Sequence, residues 1–201
     1  MSLKGKKVAV TGASKGLGLG VVTRLAAEGC DVIAHYNSGD ISEARKICEE
    51  AGVGFTAFKA DLSDEKQVYE LAKKINECGD IYGLVNNAGV CIFEDFLETP
   101  AENFDFMFDV NIKAPFILTQ QIAKQMRDRG IKGRIVNFSS ITAISASATQ
   151  VHYGAAKGAV ASFTRMAADA LGKYGITVNG VMPGPVPTKH NSEYLAEEEQ
   201  K

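Results

Sequence analysis

Tyr153 and Lys157 stand four residues apart in the run Tyr-Gly-Ala-Ala-Lys. On a helix, residues at i and i+4 share a face, so a phenol and an ammonium would point into one space. A phenol titrates near pH 10, too high for efficient proton transfer at neutrality, and a nearby ammonium favours the phenolate. The pair therefore reads as a tuned acid/base. By themselves the two residues fit an exposed Tyr and Lys on an amphipathic helix at least as well, so the rest of the chain must decide.

A second chemical signal is the run Thr11-Gly12-Ala13-Ser14-Lys15-Gly16-Leu17-Gly18. Gly12 permits a tight turn. Gly16 and Gly18 let backbone approach a pyrophosphate and let a following helix pack closely. A helix starting there would offer free N–H groups and its positive dipole end to phosphates. A glycine trio is weak alone, and a turn without a ligand is the plain alternative. It gains weight when it joins a first strand to a first helix.

The elements supply that context. Lys7 to Thr11 reads as a buried strand, and Gly16 to Glu28 as a helix. Further strands are predicted over 32–36, 55–59, 81–86, 134–138 and 176–182. Asp40, with Glu43 three residues on, can cap a helix. Val68, Leu71, Ala72 and Ile75 mark one face of a helix over 65–77. Thr99-Pro100-Ala101-Glu102 is a helix start, with Thr99 as cap and Pro100 in the first turn. One long helix is predicted from there to Arg129, and another over 150–173. Strand alternating with helix six times predicts an α/β fold: a doubly wound parallel sheet with helices on both faces, in one domain. Such sheets bind ligands at the carboxyl ends of their strands.

Composition narrows the function. The 201 residues are 45% hydrophobic and 23% charged with a net charge of −2. That leaves no basic surplus for nucleic acid and no acidity pointing to disorder. No apolar run approaches a membrane span and no secretory signal opens the chain, so a cytoplasmic protein is expected. Cys30, Cys48, Cys78 and Cys91 form no paired motif and read as reduced packing residues. His35, His152 and His190 lack ligand spacing, so no metal is expected. His152, one residue along a helix from Tyr153, should point elsewhere.

The glycine spacing, Gly-x-x-x-Gly-x-Gly, together with Tyr-x-x-x-Lys resembles the short-chain dehydrogenase/reductase family. The likeness runs from Lys6 to about Thr188. It implies a Rossmann-type fold and an NAD(P)-dependent oxidoreductase acting on a carbonyl, a secondary alcohol or a sugar hydroxyl. In that family Tyr153 would exchange a proton with the substrate oxygen. Lys157 would depress the Tyr153 pKa and bind the nicotinamide ribose. Ser140, thirteen residues before Tyr153, would bind the substrate oxygen, with Ser139 as the rival. Asn111 would hold a water in a proton relay through Lys157. For the cofactor, the likeness points to Gly12, Ser14, Lys15, Gly16, Leu17 and Gly18 in the first turn. It points also to Asp61 and Leu62 beside the adenine, to Asn87, Ala88 and Gly89 after the fourth strand, and to Pro183, Gly184, Val186 and Thr188 near the nicotinamide.

NAD-selective members carry an acid at the end of the second strand. Tyr36 stands there instead, followed by Asn37 and Ser38. With Lys15 these suit a 2′-phosphate, so NADP is expected over NAD. Asp40 argues the other way if its loop folds back. Two subgroups are similar: the sugar 1-dehydrogenases and the 3-oxoacyl acyl-carrier-protein reductases, with a slight lean to a small polyol or sugar. A homodimer or homotetramer through the two long helices is implied. Relatives usually carry a further C-terminal part with a seventh strand and substrate-covering helices, so six strands and less cover are expected here. That leaves a non-catalytic NADP-binding sensor as the alternative of another class.

Overall fold

The computed structural model describes residues 2–186, so Thr188, His190 and the polar tail lie outside the described residues. Six strands form one sheet in the order β3-β2-β1-β4-β5-β6. They are β1 (Lys7–Val10), β2 (Asp31–Tyr36), β3 (Phe55–Lys59), β4 (Ile81–Asn86), β5 (Arg134–Phe138) and β6 (Thr177–Val181). All pairings are parallel. The order reverses beside β1, between β2 and β4, which is where a doubly wound sheet opens a crevice at its carboxyl edge.

Alternation along the strands builds two cores. Val8 and Val10 pack with Val22, Ala26, Val32 and Ala34 on the face covered by α1 (Gly16–Ala27) and α2 (Ser42–Glu50). Ala9, Ile33, Ile81, Leu84 and Ile135 point to the opposite face. There they meet α3 (Glu65–Glu77), α5 (Ala114–Asp128) and α6 (Val151–Gly172). The predicted stripe Val68, Leu71, Ala72 and Ile75 is fully buried in this core.

The structure corrects three local expectations. The helix expected from Thr99 to Arg129 is interrupted. It comprises α4 (Ala101–Phe108), a π-turn over Asp109–Lys113 and α5. Thr99 does not cap it. Asp95 caps a short 3-10 turn at Phe96–Glu98, the Thr99 hydroxyl donates back to the Asp95 carbonyl, and Pro100 takes the cap position. Asp40 also sits one residue too early to cap α2, which begins after Ile41. Its carboxylate accepts from the Ser42 N–H at 2.9 Å and the Ser42 hydroxyl at 2.6 Å. In both places a side chain found a backbone partner two to four residues away, a competition that spacing does not reveal.

Candidate functional site

The glycine run forms the β1–α1 turn. Gly12 and Gly16 have φ of +66° and +55°, the left-handed region that favours glycine. Gly18 is fixed by crowding: a Cβ there would lie 2.0 Å from the Gly12 carbonyl oxygen. Its demand is thus set by the loop folding back on its own helix. Lys15 occupies the N-cap of α1 without a side-chain cap bond, so among the described residues no side chain takes up the N–H groups of the first turn. Uncapped donors at the end of a glycine turn suit a pyrophosphate.

Neighbouring residues hold this turn. The Asn87 side-chain amide donates to the Thr11 and Gly12 carbonyls at 2.9 and 3.1 Å. The Thr11 hydroxyl accepts from the Asn87 and Ala88 N–H groups, both at 3.0 Å. Buried His35 on β2 accepts the Gly12 N–H at Nδ1, 3.3 Å, and the Ala13 N–H donates to the His35 carbonyl. Thr11 and His35 were not legible as site residues. Their types are generic, and only the pairing of β1 with β2 and β4 brings them to the turn.

The proton-transfer group assembles at the carboxyl ends of β4 and β5. Lys157 is 3% exposed, donates to the Phe138 carbonyl at 3.0 Å and lies 5.6 Å from the Tyr153 ring centre. Burial pushes its pKa down to about 8. Ser140 also reaches Tyr153: burial raises the phenol, and a Ser140 side-chain hydrogen bond opposes that rise. The expected depression of Tyr153 by Lys157 is therefore not what the chain's own residues produce. Desolvation is the largest influence on both groups, raising the phenol and lowering the ammonium. Between the two serines the geometry is clear. The Ser139 hydroxyl is turned inward and donates to the Lys157 carbonyl at 2.7 Å, while Ser140 faces the phenol.

Asn111 sits in the π-turn and is 1% exposed. Its amide donates to the Val90 and Met107 carbonyls at 2.9 and 3.0 Å, and its Oδ1 accepts the Val90 N–H at 3.2 Å. Both N–H groups are used, leaving one lone pair on Oδ1. A Cβ on Gly89 would come 2.8 Å from Asn111 Oδ1 and 3.1 Å from Lys157 Nζ. Asn111, Gly89 and Lys157 thus converge, and glycine is required by close approach.

The loop after Gly89 forms the rim. Gln150 donates to the Cys91 sulfur at 3.1 Å, and Cys91 lies close enough that its thiolate form would raise both Tyr153 and Lys157. Burial raises the Cys91 thiol. Cys91, a free and part-buried thiol, lies beside the site. His152 turns away from Tyr153 as expected, and its Nε2 lies 3.9 Å from Glu94 Oε2.

The remaining predicted residues spread along the same carboxyl edge. Lys15, Leu17, Asn37 and Ser38 are exposed, and Tyr36 is half-buried. Ser14 packs against Gly39, joining the first turn to the loop after β2. Asp61 accepts from the Ser63 N–H and hydroxyl at 2.9 and 2.8 Å, and the Leu62 side chain is in the core, leaving its backbone for any ligand. The Pro183 carbonyl accepts the Ile141 N–H at 3.0 Å, holding the Pro183–Gly184 turn beside Ser140; Val186 lies just beyond. Among the described residues no group of three or more His, Cys, Asp or Glu could hold a metal, and no helix is long and apolar enough to cross a membrane.

Residues 6–199 match the sequence model of the family described as short chain dehydrogenase. The chain is 38% identical over 205 residues to an L-rhamnose 1-dehydrogenase (NADP(+)) of Thermoplasma acidophilum, covering all of this chain and 80% of that protein. It is 34% identical over 200 residues to a 2-dehydro-3-deoxy-D-gluconate 5-dehydrogenase of Bacillus subtilis, covering all of this chain and 78% of that protein. A solved structure described as a putative 2-deoxy-D-gluconate 3-dehydrogenase from Agrobacterium tumefaciens with bound NADP superposes with a TM-score of 0.91. It is 32% identical, over 99% of this chain and 79% of that one.

Proposed function

Since the chain belongs to the short-chain dehydrogenase family, we propose that it is an NADP-dependent oxidoreductase acting on a hydroxyl of a small polyol or sugar, or on the matching carbonyl. The observation that carries this reading is the convergence of Ser140, Tyr153 and Lys157 beside a glycine turn whose helix lacks a side-chain cap. Relatives named for rhamnose and for a deoxygluconate support the substrate class.

The residues present fit a nicotinamide dinucleotide. Gly12, Gly16 and Gly18 with the first turn of α1 would cradle the pyrophosphate, and Asn87, Ala88 and Gly89 would line the floor. Pro183, Gly184 and Val186 would flank the nicotinamide. Lys15, Asn37 and Ser38 would receive a 2′-phosphate, and Asp40 is already engaged with Ser42. When bound, the nicotinamide supplies or accepts the hydride. Tyr153 takes the proton from the substrate hydroxyl, or returns it to the carbonyl oxygen. Ser140 hydrogen-bonds that oxygen and stabilises charge developing there. Lys157 holds positive charge beside the phenol and would hydrogen-bond the ribose of a bound cofactor. Asn111 holds the Val90 loop and offers its remaining Oδ1 lone pair to a proton relay. We place the subunit contact of a homodimer or homotetramer on α4, α5 and α6, where Phe104, Phe116 and Met166 are exposed.

Separate titrations with NADPH and NADH test the cofactor, and steady-state assays over aldoses, polyols and simple ketones test the chemistry. NADPH should bind at least about tenfold more tightly. Tyr153→Phe should cut turnover by about a thousandfold or more while still binding NADPH. Tighter NADH binding overturns the cofactor assignment, and unchanged turnover in the variant overturns the role of Tyr153.

A further inference from the structure

His35 is 3% exposed and spans two backbone groups of fixed polarity. The Gly12 N–H can only donate, so Nδ1 must present its lone pair, at 3.3 Å. The Ala60 carbonyl can only accept, so Nε2 must carry the proton, at 3.0 Å. The surroundings thus dictate one neutral tautomer. A second proton would go to Nδ1 and set an N–H against the N–H of Gly12, with no room for the ring to escape.

Gly12 has little freedom to yield. Its φ is +66°, a Cβ there would lie 2.9 Å from the Ala88 Cα, and its carbonyl is held by Asn87. The next residue is tied to the same histidine through the Ala13 N–H and the His35 carbonyl, at 2.9 Å. His35 therefore grips the first bend of the glycine turn through side chain and main chain together.

We propose that His35 is a positioning residue for the cofactor loop, and that its protonation weakens cofactor binding by breaking the bond that sets Gly12. This rests on the reading of the glycine turn as the pyrophosphate site. Burial lowers the His35 pKa below 6.5, and two influences oppose it: the Ala60 carbonyl and the charge of Asp61, at the end of β3. The lost affinity therefore belongs to the acid side, below pH 6.5. Linkage makes the effect reciprocal, so a bound cofactor must lower the His35 pKa further, by one unit for each tenfold of affinity lost on protonation.

The test is calorimetric titration of NADPH between pH 8 and pH 5.5 with the wild-type chain and with His35→Asn. An Asn side-chain oxygen stands where Nδ1 stands and cannot be protonated. The 2′-phosphate titrates near pH 6 and affects both proteins alike, so only the difference between them is read. His35→Asn should bind more weakly at pH 8, for want of the Ala60 bond. On acidification to pH 5.5 the wild type should lose about two- to fivefold more affinity than the variant does, since a pKa below 6.5 keeps the extra loss there under about tenfold. Parallel losses overturn the inference while leaving the cofactor reading intact; no NADPH binding at any pH overturns both. Should His35→Asn not fold, ring 15N shifts of wild-type His35 decide: its pKa should fall when NADPH is added, and an unchanged value sinks the proposal.

Discussion

Lys157 carries the largest conflict between stability and use. An ammonium 3% exposed, donating to the Phe138 carbonyl at 3.0 Å, is costly to bury. The fold responds by lowering its pKa from 10.5 to about 8. A base with a depressed pKa weakens the fold most while it is still protonated there, below about pH 8. The penalty is relieved as pH rises from 8 toward 10.5. Lys157→Met should therefore be inactive yet more stable than the wild type at pH 7, by about 1–2 kcal/mol after the loss of the Phe138 bond is set against it. The advantage should shrink at pH 9.5. Urea unfolding at the two pH values checks this, and a variant less stable at pH 7 would show that the ammonium is adequately solvated. Tyr153, whose raised pKa acts above pH 10, does not enter the comparison between pH 7 and pH 9.5.

The π-turn is the element on which the site depends. One extra residue over Asp109–Lys113 widens the helix, and the Asn111 side-chain amide donates to the Met107 carbonyl one turn back. The same side chain binds both backbone groups of Val90, tying the helix to the loop that follows Gly89. Asn111→Ala would strand one buried and two part-buried backbone groups and should cost about 2–3 kcal/mol. Urea denaturation reads that directly, and a loss below about 1 kcal/mol would mean the turn is held by packing alone. The sequence carried the type and position of Asn111 but not the π-turn, because the apolar period of 101–128 is nearly that of an unbroken helix.

At the scale of the molecule, α4, α5 and α6 leave a row of large apolar side chains in water. Phe104, Phe116 and Met166 are 43, 47 and 62% exposed, and the Phe116 ring meets Phe163 at a tilt across α5 and α6. Exposed apolar side chains of this size are the basis on which the subunit contact is proposed for these helices. Sedimentation velocity should show a dimer or tetramer, and Phe116→Glu should shift it toward monomer. A wild-type monomer at tens of micromolar would remove the basis for that assignment.

Strand and helix order, the parallel sheet and the positions of Gly12, Gly16, Gly18, Tyr153 and Lys157 follow from local pattern, because turn chemistry and period are properties of short runs. The choice of Ser140 over Ser139 rested on a count, and became geometry only when β5 ended and turned one hydroxyl inward and one outward. Thr11, His35, Cys91 and Gln150 entered the site through contacts spanning 23 to 77 residues of chain, which no local pattern encodes. The direction of the Tyr153 and Lys157 shifts was decided by tertiary structure for the same reason. Spacing places two charges side by side, but burial sets how much each charge costs, and burial exists only after the sheet and helices have closed around them.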